Sequence, residues 1–166
     1  MRIQTKRLDL KPFSDDDRAA LLDLLTNETV TATFMVPDLN TAELRQQMFE
    51  TLKTLSQSEG QLVAGIYQNG RLIGLINEME RDGGRIELGC AIHPDYHNCG
   101  YGAEALQGAI KELFQRGVDQ VLAGAFEDNA ASIAIMKKCG MTPIDRQECV
   151  EYRGQVHRCV YYAIRK

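Results

Sequence analysis

Several features that mark specialised proteins are missing from this 166-residue chain. It has five cysteines, an odd number, and no C-x-x-C pair among them, so neither a disulfide framework nor a zinc site is indicated. His93 and His97 are four residues apart, but Pro94 lies between them and prevents a shared helical face. No metal is expected. There is no basic run longer than Lys137-Lys138 and the formal net charge is −4, which disfavours nucleic acid as a partner. No stretch approaches the roughly 20 apolar residues of a spanning helix, so no membrane role is expected. Met1 to Phe13 has no apolar core of signal-peptide length, and the cytoplasm is the expected compartment. Repeats and low-complexity segments are absent as well.

What is present is ordinary for a globular domain. Hydrophobic residues make up 44% and charged residues 25%, and the length suits one core, so residues 1–166 are read as one domain able to fold without disulfide or metal. Cys149 and Cys159 are expected to face each other across the last hairpin as thiols.

The hydrophobic period orders the elements. Arg2 to Leu10 alternates as a strand. Ser14 followed by three aspartates starts a helix over Ala19–Leu25. Asn27 to Pro37 reads as a short helix or loop. Thr41 opens a second helix with Leu44, Met48, Leu52 and Leu55 as its apolar stripe, ending near Ser58 to Gly60. Three strands follow, Gln61–Tyr67, Leu72–Met79 and Arg85–His93, with Asn69-Gly70 as the first turn. A long helix runs from Gly102 to a cap at Gly117, then a strand at Val118–Phe126, a helix from Asn129 to Gly140, and two strands, Thr142–Tyr152 and Gln155–Ile164. The order is β-α-α-β-β-β-α-β-α-β-β, a mixed α/β domain.

The stretch His97-Asn98-Cys99-Gly100-Tyr101-Gly102-Ala103 lies between a strand and a helix. Its glycines permit a tight turn and close approach by another molecule. Successive amides aimed into the gap before a helix, reinforced by the helix dipole, suit phosphate or diphosphate. The same residues also make an ordinary strand-to-helix turn with no ligand. Gly100-Tyr101-Gly102-Ala103-Glu104-Ala105 matches the dinucleotide fingerprint, but Pro94 to Cys99 separate it from the strand, Glu127 comes too late as the ribose acid, and only one parallel crossover fits after the meander. No G-K-[ST] follows, which excludes a P-loop.

The ordered set of Gly100-x-Gly102-Ala103, Asn129-x-x-Ser132 and Cys139-Gly140-Met141 resembles the GNAT superfamily of N-acetyltransferases, whose loop is Arg/Gln-x-x-Gly-x-Gly/Ala. Thr5-Lys6-Arg7-Leu8-x-Leu10-Lys11-Pro12, Glu87-Leu88-Gly89 and Tyr101–Leu106 are most similar to the branch that acetylates ribosomal-protein N-termini at alanine or serine. The resemblance spans essentially the whole chain. It implies the acyl-CoA N-acyltransferase fold: a central, mostly antiparallel twisted sheet of about seven strands, two of them parallel and splayed, flanked by about four helices.

It also implies acetyl-CoA as cosubstrate, bound in a V-shaped split between Arg85–His93 and Val118–Phe126. The pantetheine arm would pair near Ala91 and Ile92, and the diphosphate would lie on the amides from Asn98 to Ala103. His97 departs from the usual Arg or Gln, at a position where the family works largely through backbone amides. Met136 stands where many members carry the Tyr acid. The implied activity is transfer of acetyl to a primary amine, on a small molecule or a protein N-terminus, by direct attack in a ternary complex. The alternative is a non-catalytic acyl-CoA-binding or sensing domain of the same fold. A monomer or homodimer is expected.

On a strand, Glu87, Gly89 and Ala91 share a face, and an acid beside small residues suits a cleft. Glu87 is therefore the candidate base, with Glu78 and Glu80 as alternatives. The bland reading of Glu87 is a solvated or salt-bridged strand acid. Ser132 is the candidate donor to the leaving thiolate, or an ordinary first-turn polar residue. Asn129 holds pantetheine or caps its helix, and the two roles are compatible. An amide at a strand bulge near Ile92 is the family's oxyanion donor. Tyr101 sits in the loop or packs under it. Cys99 is either a reactive thiol at a helix N-terminus or a small residue that fits the turn. Asn27 to Leu39, with Phe34, Met35 and Pro37, is expected to line the acceptor groove beside the last hairpin.

Overall fold

The N-terminal alternation resolves into two short strands, β1 (Ile3–Gln4) and β2 (Asp9–Lys11), rather than one. The Thr5 amide donates to the Leu8 carbonyl at 2.9 Å, folding the chain back so that Ile3 pairs with Leu10. The turn sends Arg7 outward and lets Ile3, Leu8 and Leu10 enter one core. The computed structural model describes Met1–Lys166.

Ser14 opens a single 3-10 turn, Asp15–Asp17, which leads into α1 (Arg18–Thr26). The Asp17 carboxylate accepts from the Ser14 amide at 2.7 Å and from its hydroxyl at 2.8 Å. The Asn27 side chain caps α2 (Glu28–Thr31), and Thr41 caps α3 (Ala42–Gln57). Of the stripe expected on α3, Met48, Leu52 and Leu55 pack against the core, Leu44 is 39% exposed, and Phe49 is the buried anchor. Phe49 joins Phe13, Leu21 and Tyr67 in the core on one face of the sheet.

β3 (Val63–Gln68) and β4 (Arg71–Asp82) form the expected hairpin, with both Asn69 and Gly70 left-handed at its turn. The chain continues through β5 (Arg85–Ile92), α4 (Tyr101–Gln115), β6 (Gln120–Phe126), α5 (Ala130–Lys138), β7 (Thr142–Tyr152) and β8 (Gln155–Arg165). Together the strands make one eight-stranded sheet, ordered β1-β2-β3-β4-β5-β6-β8-β7. The count exceeds the expected seven because the N-terminal strand breaks at its turn, and α2 brings the α-helices to five.

All neighbouring strands are antiparallel except β5 and β6. α4 and α5 cover one face over Ile86, Leu88, Leu106, Leu113, Val121 and Met136. α1 to α3 cover the other over Phe13, Leu21, Leu24, Leu75 and Ala91. Each large side chain so buried contributes roughly 1.5–3 kcal/mol. No helix is long and apolar enough to cross a membrane. Cys159 lies opposite Glu148 and Cys149 opposite Arg158, so the two cysteines occupy neighbouring registers on opposite faces and do not meet.

A wedge between two parallel strands

β5 and β6 pair only over Arg85–Glu87 against Gln120–Leu122. Beyond Glu87 they part. The separation coincides with an irregularity on the other side of β5: Leu88 pairs with Glu78 but Glu87 pairs with Glu80, leaving Met79 as an extra residue in β4. Such a bulge bends and twists its strand. The bulge expected near Ile92 is not there, since β5 runs in register with β4 from Leu88 to Ile92. On the far side of the wedge, small residues keep β6 against β8. A Cβ on Gly124 would stand 2.7 Å from the Tyr161 ring.

The wedge opens into a cavity of about 470 Å³ walled by Leu88–Ile92, Ala123–Ala125, the loop from Tyr96 to Ala103, one side of α5, and Thr29–Phe34 of the α2 segment. The His93 amide donates to the Ile73 carbonyl of β4 at 2.8 Å. By strand alternation Ala91 also turns its polar groups to β4, while Cys90 and Ile92 turn theirs into the wedge. Ile92, rather than Ala91, thus presents the open edge. Its carbonyl already has one partner, the His97 ring Nε2 at 2.8 Å. A carbonyl only accepts, so Nε2 carries the proton.

At the mouth of the wedge the loop supplies donors. The His97 amide is used within the loop, bonding the Pro94 carbonyl at 3.0 Å. From Asn98 to Ala103 no backbone amide finds an acceptor in the protein. Asn98 and Gly100 are left-handed, with φ of 59° and 78°, and this turns successive amides toward one concavity at the α4 N-terminus. Arg7 braces the loop from outside. Its Nη1 donates to the Cys99 carbonyl at 2.9 Å, its Nε meets Glu104 at 2.6 Å, and its guanidinium lies 4.6 Å over the Tyr101 ring. Tyr101 therefore packs under Arg7. A Cβ on Gly100 would stand 3.4 Å from Arg7 Nη2 and 3.9 Å from Lys138 Nζ, so two cations flank the amides.

On α5, Asn129 Oδ1 accepts from the Ser132 amide at 3.1 Å and caps the helix. Asn129 and Ser132 both face the cavity. Met136 is 2% exposed and carries no ionisable proton. Cys99 is exposed, with Sγ 3.4 Å from the His97 carbonyl. Burial pushes the Cys90 thiol up to about 12.

Glu87 is the last β5 residue paired with β6, just before the strands part and outside the residues that line the cavity; its side chain is 15% exposed, in an ion pair with Arg146 Nη1 at 3.0 Å. The same guanidinium reaches Glu80 at 3.2 Å and Glu148 at 2.8 Å. Burial pushes the Glu87 carboxyl above its usual range; Arg146 pulls it down and Glu80 pushes it up. Glu78 is committed elsewhere, accepting from the Leu62 amide at 2.8 Å and pairing with Arg81 at 2.7 Å. The Tyr152 hydroxyl of the last hairpin donates to the Thr31 carbonyl at 2.8 Å and accepts from the Val36 amide at 3.3 Å. The hairpin thus lies beside the Asn27–Leu39 segment. Arg146, Tyr152 and Lys138 carried no local motif, and Arg7 stood in the N-terminal motif without a sign of what it would hold; Arg7, Arg146 and Tyr152 are brought in by long-range hydrogen bonds.

The family description "Acetyltransferase (GNAT) domain" matches residues 7–142. The chain belongs to this family. Among curated proteins, the GNAT domain is 27% identical over 143 residues to an uncharacterised N-acetyltransferase, YoaA, of Bacillus subtilis strain 168, covering 83% of this chain and 81% of that protein. A GNAT-family acetyltransferase structure from Bacillus anthracis superposes with a TM-score of 0.84 at 23% identity, covering 99% of this chain and 98% of that one. RimL, a ribosomal α-N-protein acetyltransferase in complex with coenzyme A, gives a TM-score of 0.84 at 18% identity, covering 99% and 98%. At these identities the two structures establish the fold of the GNAT domain.

Proposed function

We propose that this GNAT domain is an acetyl-CoA-dependent N-acetyltransferase that transfers acetyl to a primary amine by direct attack in a ternary complex. The observation that carries the reading is the wedge with unclaimed amides at its mouth. Its open edge suits an extended, amide-bearing arm, and the Asn98–Ala103 amides suit a diphosphate. The coenzyme A held by the RimL structure supports the same cofactor.

The amine nitrogen attacks the thioester carbonyl and the C–S bond breaks. Glu87 takes the ammonium proton, directly or through water, and the Ile92 amide faces the oxyanion. Ser132 donates to the departing thiolate. Cys90, held protonated by burial, is unsuited to carry the acetyl group, which favours direct transfer. Asn129 borders the pantetheine arm. The acceptor, a small amine or a protein N-terminus, enters between the α2 segment and the last hairpin.

One observation favours a second reading, an acyl-CoA-binding domain without turnover: the Tyr position is a buried Met136 and Glu87 is ion-paired. Free-thiol release from acetyl-CoA, screened over amines and N-terminal peptides, separates the two. Turnover lost in Glu87→Gln with acetyl-CoA binding retained supports the enzyme. Binding with no amine-dependent release supports the sensor.

A further inference from the structure

Two irregularities in the sheet converge on Glu87. The extra residue Met79 in β4 places Glu80 directly opposite it. In β7 the register slips between Pro143 and Gln147, and Arg146 lies within that slip. Irregular strands re-aim side chains, and here the result is a guanidinium shared by acids from β4, β5 and β7. Nη1 reaches Glu87 at 3.0 Å, Nη2 Glu80 at 3.2 Å and Nε Glu148 at 2.8 Å. The guanidinium lies 4.1 Å over the Tyr161 ring, and the Tyr161 hydroxyl donates to Glu148 at 2.9 Å. With each nitrogen engaged and one face stacked, the planar fork is held in a single orientation.

The charged groups acting on Glu87 are Glu80 from β4 and Arg146 and Glu148 from β7, while Cys159 and Tyr161 from β8 feel its charge in turn. Arg146 is the one cation among them. Without it, three carboxylates would crowd the point where β5 and β6 part, and repulsion added to burial would drive Glu87 toward its protonated form. A protonated Glu87 has no capacity to accept a proton from an ammonium.

We propose that Arg146 is the positioning residue for Glu87, keeping it ionised and held in one orientation where β5 and β6 part. The proposal rests on the assignment of Glu87 as base.

The test follows the Glu87 carboxyl by carbon NMR in protein labelled at glutamate Cδ, assigned by the signal lost in Glu87→Gln and titrated with and without acetyl-CoA. Arg146→Met is expected to raise the Glu87 midpoint by at least one pH unit, a tenfold rise in proton affinity, and Arg146→Lys is expected to restore most of it. Glu80→Gln, which leaves the arginine in place, should lower the midpoint and serves if Arg146→Met does not fold. A Glu87 midpoint unmoved in folded Arg146→Met, or unmoved or raised in Glu80→Gln, overturns the proposal. Calorimetry with acetyl-CoA on wild-type protein tests the functional reading separately: its failure leaves the Glu87 titration intact.

Discussion

Arg7 and Glu104 form a 2.6 Å ion pair that ties the turn between β1 and β2 to the first turn of α4. Glu104 also accepts from the Thr5 hydroxyl at 2.7 Å and the Arg7 amide at 2.7 Å. Burial pushes its carboxyl upward, but the hydrogen bonds from Thr5 and Arg7 outweigh it and hold the group below the usual range. A depressed carboxylate contributes stability above its unfolded value of about 4.3, and that contribution is lost as pH falls through the folded value. Glu104→Gln should therefore cost about 1–2 kcal/mol at pH 7. Urea unfolding at pH 7 and at about pH 3 checks this: the gap to wild type should shrink at the lower pH.

The cations beside Gly100 lead to a second expectation. Lys138 makes no ion pair within the protein, and its Nζ stands beside the loop. Lys138→Ala should weaken acetyl-CoA binding roughly three- to tenfold at low salt, with the difference fading as salt screens it. Gly100→Ala should cost about 1–2 kcal/mol of stability from its left-handed backbone alone. Titration at two ionic strengths and thermal unfolding measure these separately.

Tyr152 is the strap between the last hairpin and the α2 segment. Tyr152→Phe removes its bonds to Thr31 and Val36 and should cost roughly 1 kcal/mol. Hydrogen exchange of the Val36 amide reads the local effect and should speed up, while amides in β3 keep wild-type protection.

The element order was legible because the N-caps, the Asn69-Gly70 turn and the apolar periods are local signals. The loop of free amides was legible for the same reason: Gly100 shapes it through its own left-handed backbone. The rest depends on register. The N-terminal alternation fits one strand or two equally well, and only packing against β3 decides. A bulge in β4 leaves no mark near Met79. Glu87 stood out as an acid among small residues, yet its partner lies 59 residues away, at a slip in β7 that no periodicity announces. His97 looked like a loop residue working through its amide; instead its ring holds the Ile92 carbonyl while its amide closes a turn.

Turnover should depend on pH through Glu87. A base acts only when deprotonated, and burial raises this carboxyl, so activity should fall on the acid side at a pH above that of an ordinary glutamate. Glu87→Gln should lower kcat by about 10²–10⁴-fold and abolish that acid limb. Thiol release followed from pH 5 to 9 with the best amine found in the screen checks both. A Glu87→Gln variant with wild-type kcat removes Glu87 as the base.

The most direct test of the wedge as a cofactor site is calorimetric titration of the purified protein with acetyl-CoA, CoA and NADH. Selective binding of acetyl-CoA or CoA is the expected result, weakened by Lys138→Ala. No binding of either would contradict the reading of the Asn98–Ala103 amides as a diphosphate cradle, and binding of NADH alone would assign them to a dinucleotide instead.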